Sequence, residues 1–395
     1  MTESSFQNLI RGKNVVFITV KNSSYIRVTQ IKRILEKEAS SVRVYSSEKG
    51  NPLKRAMELR KRMDEIDFSG VDVVVAGFLP QLLWGKLLKA VGRTGVAGAN
   101  GGVAAGGVRT VDAGCLEVEA SNDQKKPVLV ADMFLSLYDT VILDRKLFRD
   151  GWWVADYLRK LDKQVIESAD LVLTDTSANA EFLTSLCGAK KEKFETLYLE
   201  ADEGIYKAKC LGESVPSDDK IYNVLYFGTG LPLQGTDVVL EAFNLVAGDG
   251  VYAGHEDDDF ETDSSASHIG RDIVCTFVGG PRGIPSKVIK EAADNPNVRL
   301  IKWLSQERLA KKIEEADLCI AGHFNLYIDK AARTIPGKAF IYDAMNKPMI
   351  LGDTRANREL FSEDANHIFV KRGDPKALAE AILAASISSH QHITT

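Results

Sequence analysis

Short apolar runs alternate with helix-length segments along most of the chain, and this alternation leaves few folds open. Runs rich in Val, Ile and Leu stand at 14–20, 41–46, 72–78, 127–131, 171–174 and 196–199. The rhythm restarts at 222–227, 273–278, 298–303, 318–321, 349–351 and 367–370. Helical stretches separate many of them, notably 25–37, 52–63, 81–90, 150–167, 236–246, 306–315 and 374–385. Strands that are apolar along their whole length and separated by helices argue for a parallel sheet covered on both faces. The pattern predicts an α/β chain of two doubly wound domains. Ligands of such sheets sit outside the carboxyl ends of the strands, so two facing domains would form a cleft.

A length of 395 residues is too great for one ordinary core, which fits two domains. The polar, Gly-, Ser- and Pro-bearing stretch 209–220 reads as the linker. This puts an N-terminal domain at 1–210 and a C-terminal domain at 211–373. A final helix within 374–395 is a candidate to pack back toward the N-terminal domain. It opens on Asp374-Pro375, an N-cap followed by proline at the first helical position. Two segments break the rhythm and read as inserts. Segment 92–124 is rich in Gly and Ala, and 248–270 carries the acidic run 256–259. Consecutive carboxylates do not converge on one ion without a fixed turn, so the run reads as a solvated loop.

No apolar run approaches the roughly 20 residues of a membrane span, and residues 1–7 are polar, without a signal-peptide core. The five cysteines are scattered and form no CxxC pair, which argues against a zinc site or disulfide framework. A cytoplasmic setting is the expectation. Charge is uneven: residues 1–210 carry 31 basic against 28 acidic side chains, and the remainder 19 against 27. The basic surplus gathers in Lys54-Arg55 and Arg60-Lys61-Arg62 on a predicted helix. Such a helix either leans on anionic lipid or is a solvated face. An acidic chain with no basic stripe interleaved with aromatics is not a nucleic-acid binder.

Two segments carry candidate chemistry. After Thr334 the sequence reads as a helix with Pro336 in its first turn, closed by Asn346-Lys347-Pro348. Lys338 in that first turn opposes the helix macrodipole, and Lys330 and Arg333 lie just upstream. Helix N-termini bind phosphates through free N–H groups. The cluster is therefore either an anion site or a solvated basic loop. In the second segment, a buried run ends in Gly228-Thr229-Gly230, with Gly235 and a helix following. This is not the G-x-G-x-x-G dinucleotide fingerprint.

Taken together, these motifs resemble family 4 glycosyltransferases of the GT-B fold. Gly228-Thr229 with Pro232-Leu233-Gln234-Gly235 is similar to a "GT…PLQG" donor loop. The stretch from Lys330 to Lys338 resembles "KAxRxIPxK", and the stretch from Asn346 to Asp353 resembles "xKPVITGD". In the first half, the stretch from Asp132 to Thr140 with Asp144-Arg145-Lys146 resembles "DxFxSLYDT…DRK". The resemblance spans nearly the whole chain apart from the inserts.

The resemblance implies two Rossmann-like domains, with a nucleotide-sugar donor on the C-terminal one and a glycan or lipid-linked acceptor on the other. It implies retention of anomeric configuration without a metal or other cofactor, in surface polysaccharide synthesis at the inner face of the membrane. The departing diphosphate would then be met by Lys330, Arg333 and Lys338. Thr229 and Gly230 would add hydroxyl and amide donors, with Gly228, Gln234 and Gly235 completing the loop. Many relatives carry Arg and Lys where this chain has Thr229 and Gln234. Asp132 stands roughly where relatives place a His, and is the candidate catalytic residue, contacting sugar hydroxyls or orienting the acceptor. Asp139 and Arg145 are acceptor-side candidates or a structural ion pair. His323 is either cleft-facing or a satisfied loop histidine.

One position departs from type. Relatives carry a Glu seven residues before the proline of the "KP" ending, where it binds the nucleotide ribose. This chain has Ile341 there. Loss of that bond would cost about 1–3 kcal/mol. The departure favours an alternative, a non-catalytic GT-B partner or scaffold of another transferase.

Overall fold

Eleven of the twelve expected strands form where the apolar runs stand, the sixth forms at 194–196 and not at 196–199, and together they make two sheets. The computed structural model describes residues 4–93, 126–208, 221–247, 272–280 and 283–393, with side chains to 388. The first sheet contains β1 (Asn14–Thr19), β2 (Ser41–Tyr45), β3 (Val73–Gly77), β4 (Val128–Asp132), β5 (Leu171–Thr174) and β6 (Phe194–Thr196). The second contains β7 (Ile221–Phe227), β8 (Asp272–Val278), β9 (Val298–Ile301), β10 (Leu318–Gly322), β11 (Met349–Gly352) and β12 (His367–Val370). Their orders are β2-β1-β3-β4-β5-β6 and β12-β11-β10-β7-β8-β9. The registered pairs are parallel, as in Val15↔Val73 and Leu225↔Thr276. Every residue of β3, β5, β10 and β11 is buried, which is why these runs lack polar alternation.

Strand order reverses between β1 and β3 in one sheet and between β7 and β10 in the other. Such switch points open a crevice at the carboxyl ends of the strands. The architecture is thus the expected α/β one, two Rossmann-like doubly wound sheets.

The chain divides into two compact units that interleave in sequence. One comprises Met1–Tyr138, Gly151–Thr174 and Leu183–Glu195; the other comprises Asp139–Asp150, Asp175–Phe182 and Thr196–Thr395. A single boundary near residue 210 does not describe this division. Asp139 and Asn179 bond to Arg333, and Glu359 accepts from the N–H groups of Ser177 and Ala178, so two early segments belong to the second unit. The expected linker 209–220 and the insert 248–270 lie outside the described residues, as does the insert 92–124 beyond Arg93.

The final helix, Pro375–Ile393, starts where Asp374 caps it by accepting from the Ala377 N–H at 3.1 Å. Its Leu378, Ala379 and Ile382 enter the core of the second unit with Tyr226, Phe243, Leu318 and Ile350. That apolar stripe ties the helix to the second sheet. Replacing Ile382 with Ala is expected to cost ~2–5 kcal/mol through the cavity left behind. Exposed Glu380→Ala should stay within about 0.5 kcal/mol. Urea unfolding of the two variants checks the contrast.

Candidate functional site

The second unit has a cavity of about 360 Å³ at the carboxyl ends of β7, β8 and β9. Phe227, Gly228, Thr229, Gln234, Val278, Gly279, Gly337 and Lys338 line one part of its wall; Tyr206, Trp303, Leu304, Gln306 and Leu309 line the rest. The first group supplies backbone amides and polar side chains, and the second is largely apolar.

Gly228 continues β7, its N–H donating to the Val278 carbonyl at 2.9 Å. A Cβ here would lie 2.4 Å from Gln234 Oε1, 2.8 Å from the Tyr226 hydroxyl and 2.9 Å from Lys338 Nζ. Only glycine leaves room for those three polar groups. They bond to one another: the Tyr226 hydroxyl donates to Gln234 Oε1 at 2.6 Å, and Lys338 Nζ donates to the same oxygen at 3.0 Å. Gly235, with φ of 61°, has a different task. A Cβ there would strike the Asn325 nitrogen at 2.7 Å, so this glycine lets two backbones approach. Gly230, Gly235, Lys330, Arg333 and Ile341 are not among the cavity's lining residues.

Lys338 is buried, 5 % exposed, on the helix Gly337–Ala344. Pro336 is the N-cap of that helix, and Lys330–Arg333 forms a separate helical turn. The ammonium lies 3.8 Å from the centre of the Tyr226 ring and has no carboxylate partner among the described residues. Burial pushes its pKa well below the ordinary lysine range. A desolvated cation with one neutral acceptor on a cavity wall is an incomplete electrostatic arrangement that an anion would complete. Gln234 matters for the same reason. A cation at that position would set two like charges at hydrogen-bond distance.

The other two cations of the expected phosphate cluster are already occupied. Arg333 is fully buried; its Nη2 bonds to Asp139 Oδ1 at 2.7 Å, its Nε to Asp329 at 2.5 Å and its Nη1 to Asn179 at 3.1 Å. Its guanidinium also covers the Phe182 ring at 3.6 Å. Lys330 Nζ lies 3.3 Å from Asp139 Oδ2 and donates to Thr140 Oγ1 at 3.1 Å. Thus Asp139 pairs with Arg333 and Lys330, not with Arg145. Arg145 instead sits 3.5 Å from Asp144, whose carboxyl is raised by burial. The reason is distance along the chain: Asp139 meets partners 191 and 194 residues away, beyond the reach of local charge counting.

In the first unit, Asp132 ends β4 as expected and is fully buried. Arg27, on the helix Ile26–Glu38, donates to its Oδ1 from Nε at 3.1 Å and from Nη2 at 2.8 Å. Oδ2 is equally buried and has no hydrogen-bond partner among the described residues.

His323 follows β10 and is buried, its Nδ1 lying 3.2 Å from the Thr334 carbonyl. Burial and then the nearby Lys338 charge push its pKa down to about 3. It is a neutral, backbone-bonded histidine.

The local pattern did not single out Arg27, Tyr226, Gly279 or Trp303. Two signals were present. Gly279 and Gly280 follow a buried strand just as Gly228 does, and Arg27 falls on the inward side of its helix with Val28, Ile31 and Leu35.

Residues 222–386 match the family model described as "Glycosyl transferases group 1". No curated protein sequence matches the chain. Among solved structures, sucrose-phosphate synthase from Thermosynechococcus elongatus aligns with a TM-score of 0.60 at 11% identity, covering 96% of this chain and 93% of that one. Anabaena HepE in complex with UDP-glucose aligns with a TM-score of 0.55 at 13% identity, covering 96% and 94%. A glycosyltransferase from Rickettsia africae gives 0.53 at 13%, covering 96% and 93%. These alignments establish the GT-B fold across the chain.

Two outcomes follow from the charges. Asp139→Ala takes the carboxylate from buried Lys330 and one of two from buried Arg333, and should cost ~3–5 kcal/mol. Arg145→Ala removes a partner that is itself exposed and 3.5 Å from the buried Asp144, and should cost less, about 1 kcal/mol, in the same denaturant titration. His323 has a folded pKa below its unfolded value near 6.5, so the unfolded chain binds the extra proton. Stability at this site is complete above pH ~6.5 and erodes as pH falls toward 3. Between pH 8 and pH 5 the wild type should lose ~2 kcal/mol more than His323→Gln. Equal losses would refute the assignment.

Proposed function

We propose that the protein is a retaining, metal-independent glycosyltransferase of the hexosyl type. It moves a sugar from a nucleotide-sugar donor to a glycan or lipid-linked acceptor in surface polysaccharide synthesis, on the cytoplasmic side. The observation that carries this reading is Lys338, buried on the cavity wall without a carboxylate partner. The second-unit match to a glycosyltransferase family supports it. So does the description of the HepE structures, which hold UDP and UDP-glucose.

In this reading the donor diphosphate lies against Lys338, Thr229 and the free N–H groups that begin at Gly337. Charge develops on the leaving diphosphate as the glycosidic bond breaks, and the ammonium stabilises it. Lys330 and Arg333 act at one remove, fixing the turn that precedes the helix. The nucleoside lies toward Trp303, Leu304 and Tyr206, where the apolar lining suits a base. Asp132, fixed by Arg27, serves to orient the acceptor in this reading.

The scaffold alternative rests on Ile341. It is partly buried, cannot accept a hydrogen bond, and is absent from the cavity lining. A donor site without its ribose carboxylate is weaker, and a partner protein would not need one.

Titration of UDP, GDP and ADP by calorimetry separates the two. One diphosphate is expected to bind, and Lys338→Met should weaken it roughly 10- to 100-fold while changing the matching nucleoside less than about threefold. Trp303→Ala should reverse that pattern. If none of the three binds at millimolar concentration, the transferase reading is lost. Asp132→Asn, chosen because it keeps the Arg27 hydrogen bonds in shape, should abolish turnover with nucleotide affinity retained.

A further inference from the structure

The helix Pro52–Arg62 in the first unit plays no part in the donor site. Asn51 caps it by accepting from the Lys54 N–H at 2.8 Å, and Pro52 begins it. Its inward face is apolar, with Ala56, Leu59 and the following Met63 buried. Its outward face should then be polar throughout. Instead Leu53 is 65 % exposed and Met57 is 62 % exposed, four residues apart and so on one face. Lys54, Arg60 and Lys61 are exposed beside them.

The charges on this helix are not paired off. Five cations, Lys54, Arg55, Arg60, Lys61 and Arg62, stand against one acid, Glu58. Glu58 is turned to the body of the unit, where the Ser47 hydroxyl donates to it at 2.7 Å and Arg62 lies 4.0 Å away. The next acid in the chain, Asp64, is held by Lys86 at 2.5 Å. Arg55 and Arg60 donate to the Lys49 and Leu82 carbonyls, which leaves their positive charge uncompensated. Lys54 and Lys61 have no acidic partner among the described residues.

Two exposed apolar side chains ringed by uncompensated cations complement a surface that is negative outside and apolar beneath. The geometry points to an anionic lipid leaflet as the occupant of this face. The helix would lie in the plane of the interface, with Leu53 and Met57 dipping below the headgroups and Lys54, Arg60 and Lys61 among the phosphates. Among the described residues no helix is long and apolar enough to cross a membrane, so attachment of this kind would be peripheral. The assignment is independent of the donor cavity, which lies in the other unit. It adds a surface to the sugar-transfer reading for a lipid-linked acceptor.

Co-sedimentation of the full chain with vesicles, in the absence of nucleotide, tests it. Phosphatidylcholine vesicles containing phosphatidylglycerol should retain the protein, and phosphatidylcholine alone should not. Added salt should weaken the binding. Each cation near an anionic surface contributes about fivefold, so Lys54→Gln with Lys61→Gln should weaken binding about 25-fold. Leu53→Ser with Met57→Ser should weaken it at unchanged net charge. All four positions are exposed, and far-UV circular dichroism with a thermal melt confirms that the variants fold. Equal binding to both vesicle types, no binding to either, or full retention by the quadruple variant would overturn the proposal. UDP affinity, measured on the same variants, should not change, which keeps this outcome separate from that of the donor site.

Discussion

Asp139 holds Arg333 and Lys330 in a buried cluster, and the electrostatics of the second unit depend on that arrangement. Without its carboxylate, Lys330 would lose its acidic partner and Arg333 would keep only Asp329. With it, two are neutralised and fixed, and the Arg333 guanidinium is packed flat against Phe182. The turn from Asp329 to Pro336 is therefore tied at Lys330 and Arg333, and it leads into the next helix with Lys338 at its start. Buried ion pairs contribute little net stability, because desolvation offsets attraction. What this one contributes is position.

Division of labour among the cations also explains the neighbouring residues. A single desolvated ammonium tolerates only neutral company. Gln234 offers an amide oxygen, Tyr226 offers a ring face and a hydroxyl, and Gly228 offers no side chain at all. His323 is kept uncharged by the same burial and by the same lysine. These features follow from one requirement, that the local positive charge be limited to Lys338.

The sheets were readable in the sequence because parallel strands buried on both faces leave an unmistakable apolar run. The sixth strand is the informative exception. Phe194–Thr196 is a partly buried edge, and the apolar run read for it, 196–199, begins where the strand ends. The helix Ser177–Cys187 was invisible for another reason. Its sequence is rich in Ser, Thr and Asn, and its first N–H groups are satisfied by Glu359, about 180 residues away. The site divides the same way. Gly228, Thr229, Gln234 and Lys338 come together as motif spacing suggested, whereas the fates of Lys330, Arg333 and Asp132 depend on distant partners. A charge count assigns every cation to the nearest task; only the folded chain shows which are already spoken for.

The interleaving of the two units has a consequence for the order of synthesis. Asp139 leaves the ribosome long before Arg333, with 194 residues between them. Asn179 waits across 154. Until the later segment appears, Asp139 and Asn179 lack the Arg333 guanidinium that joins them, and the first unit must reach its fold with two excursions in its midst. Contacts so distant are slow to form. The nascent chain therefore passes through a long interval in which half-finished polar segments are held open, and a truncation anywhere before Asp329 would leave them so permanently.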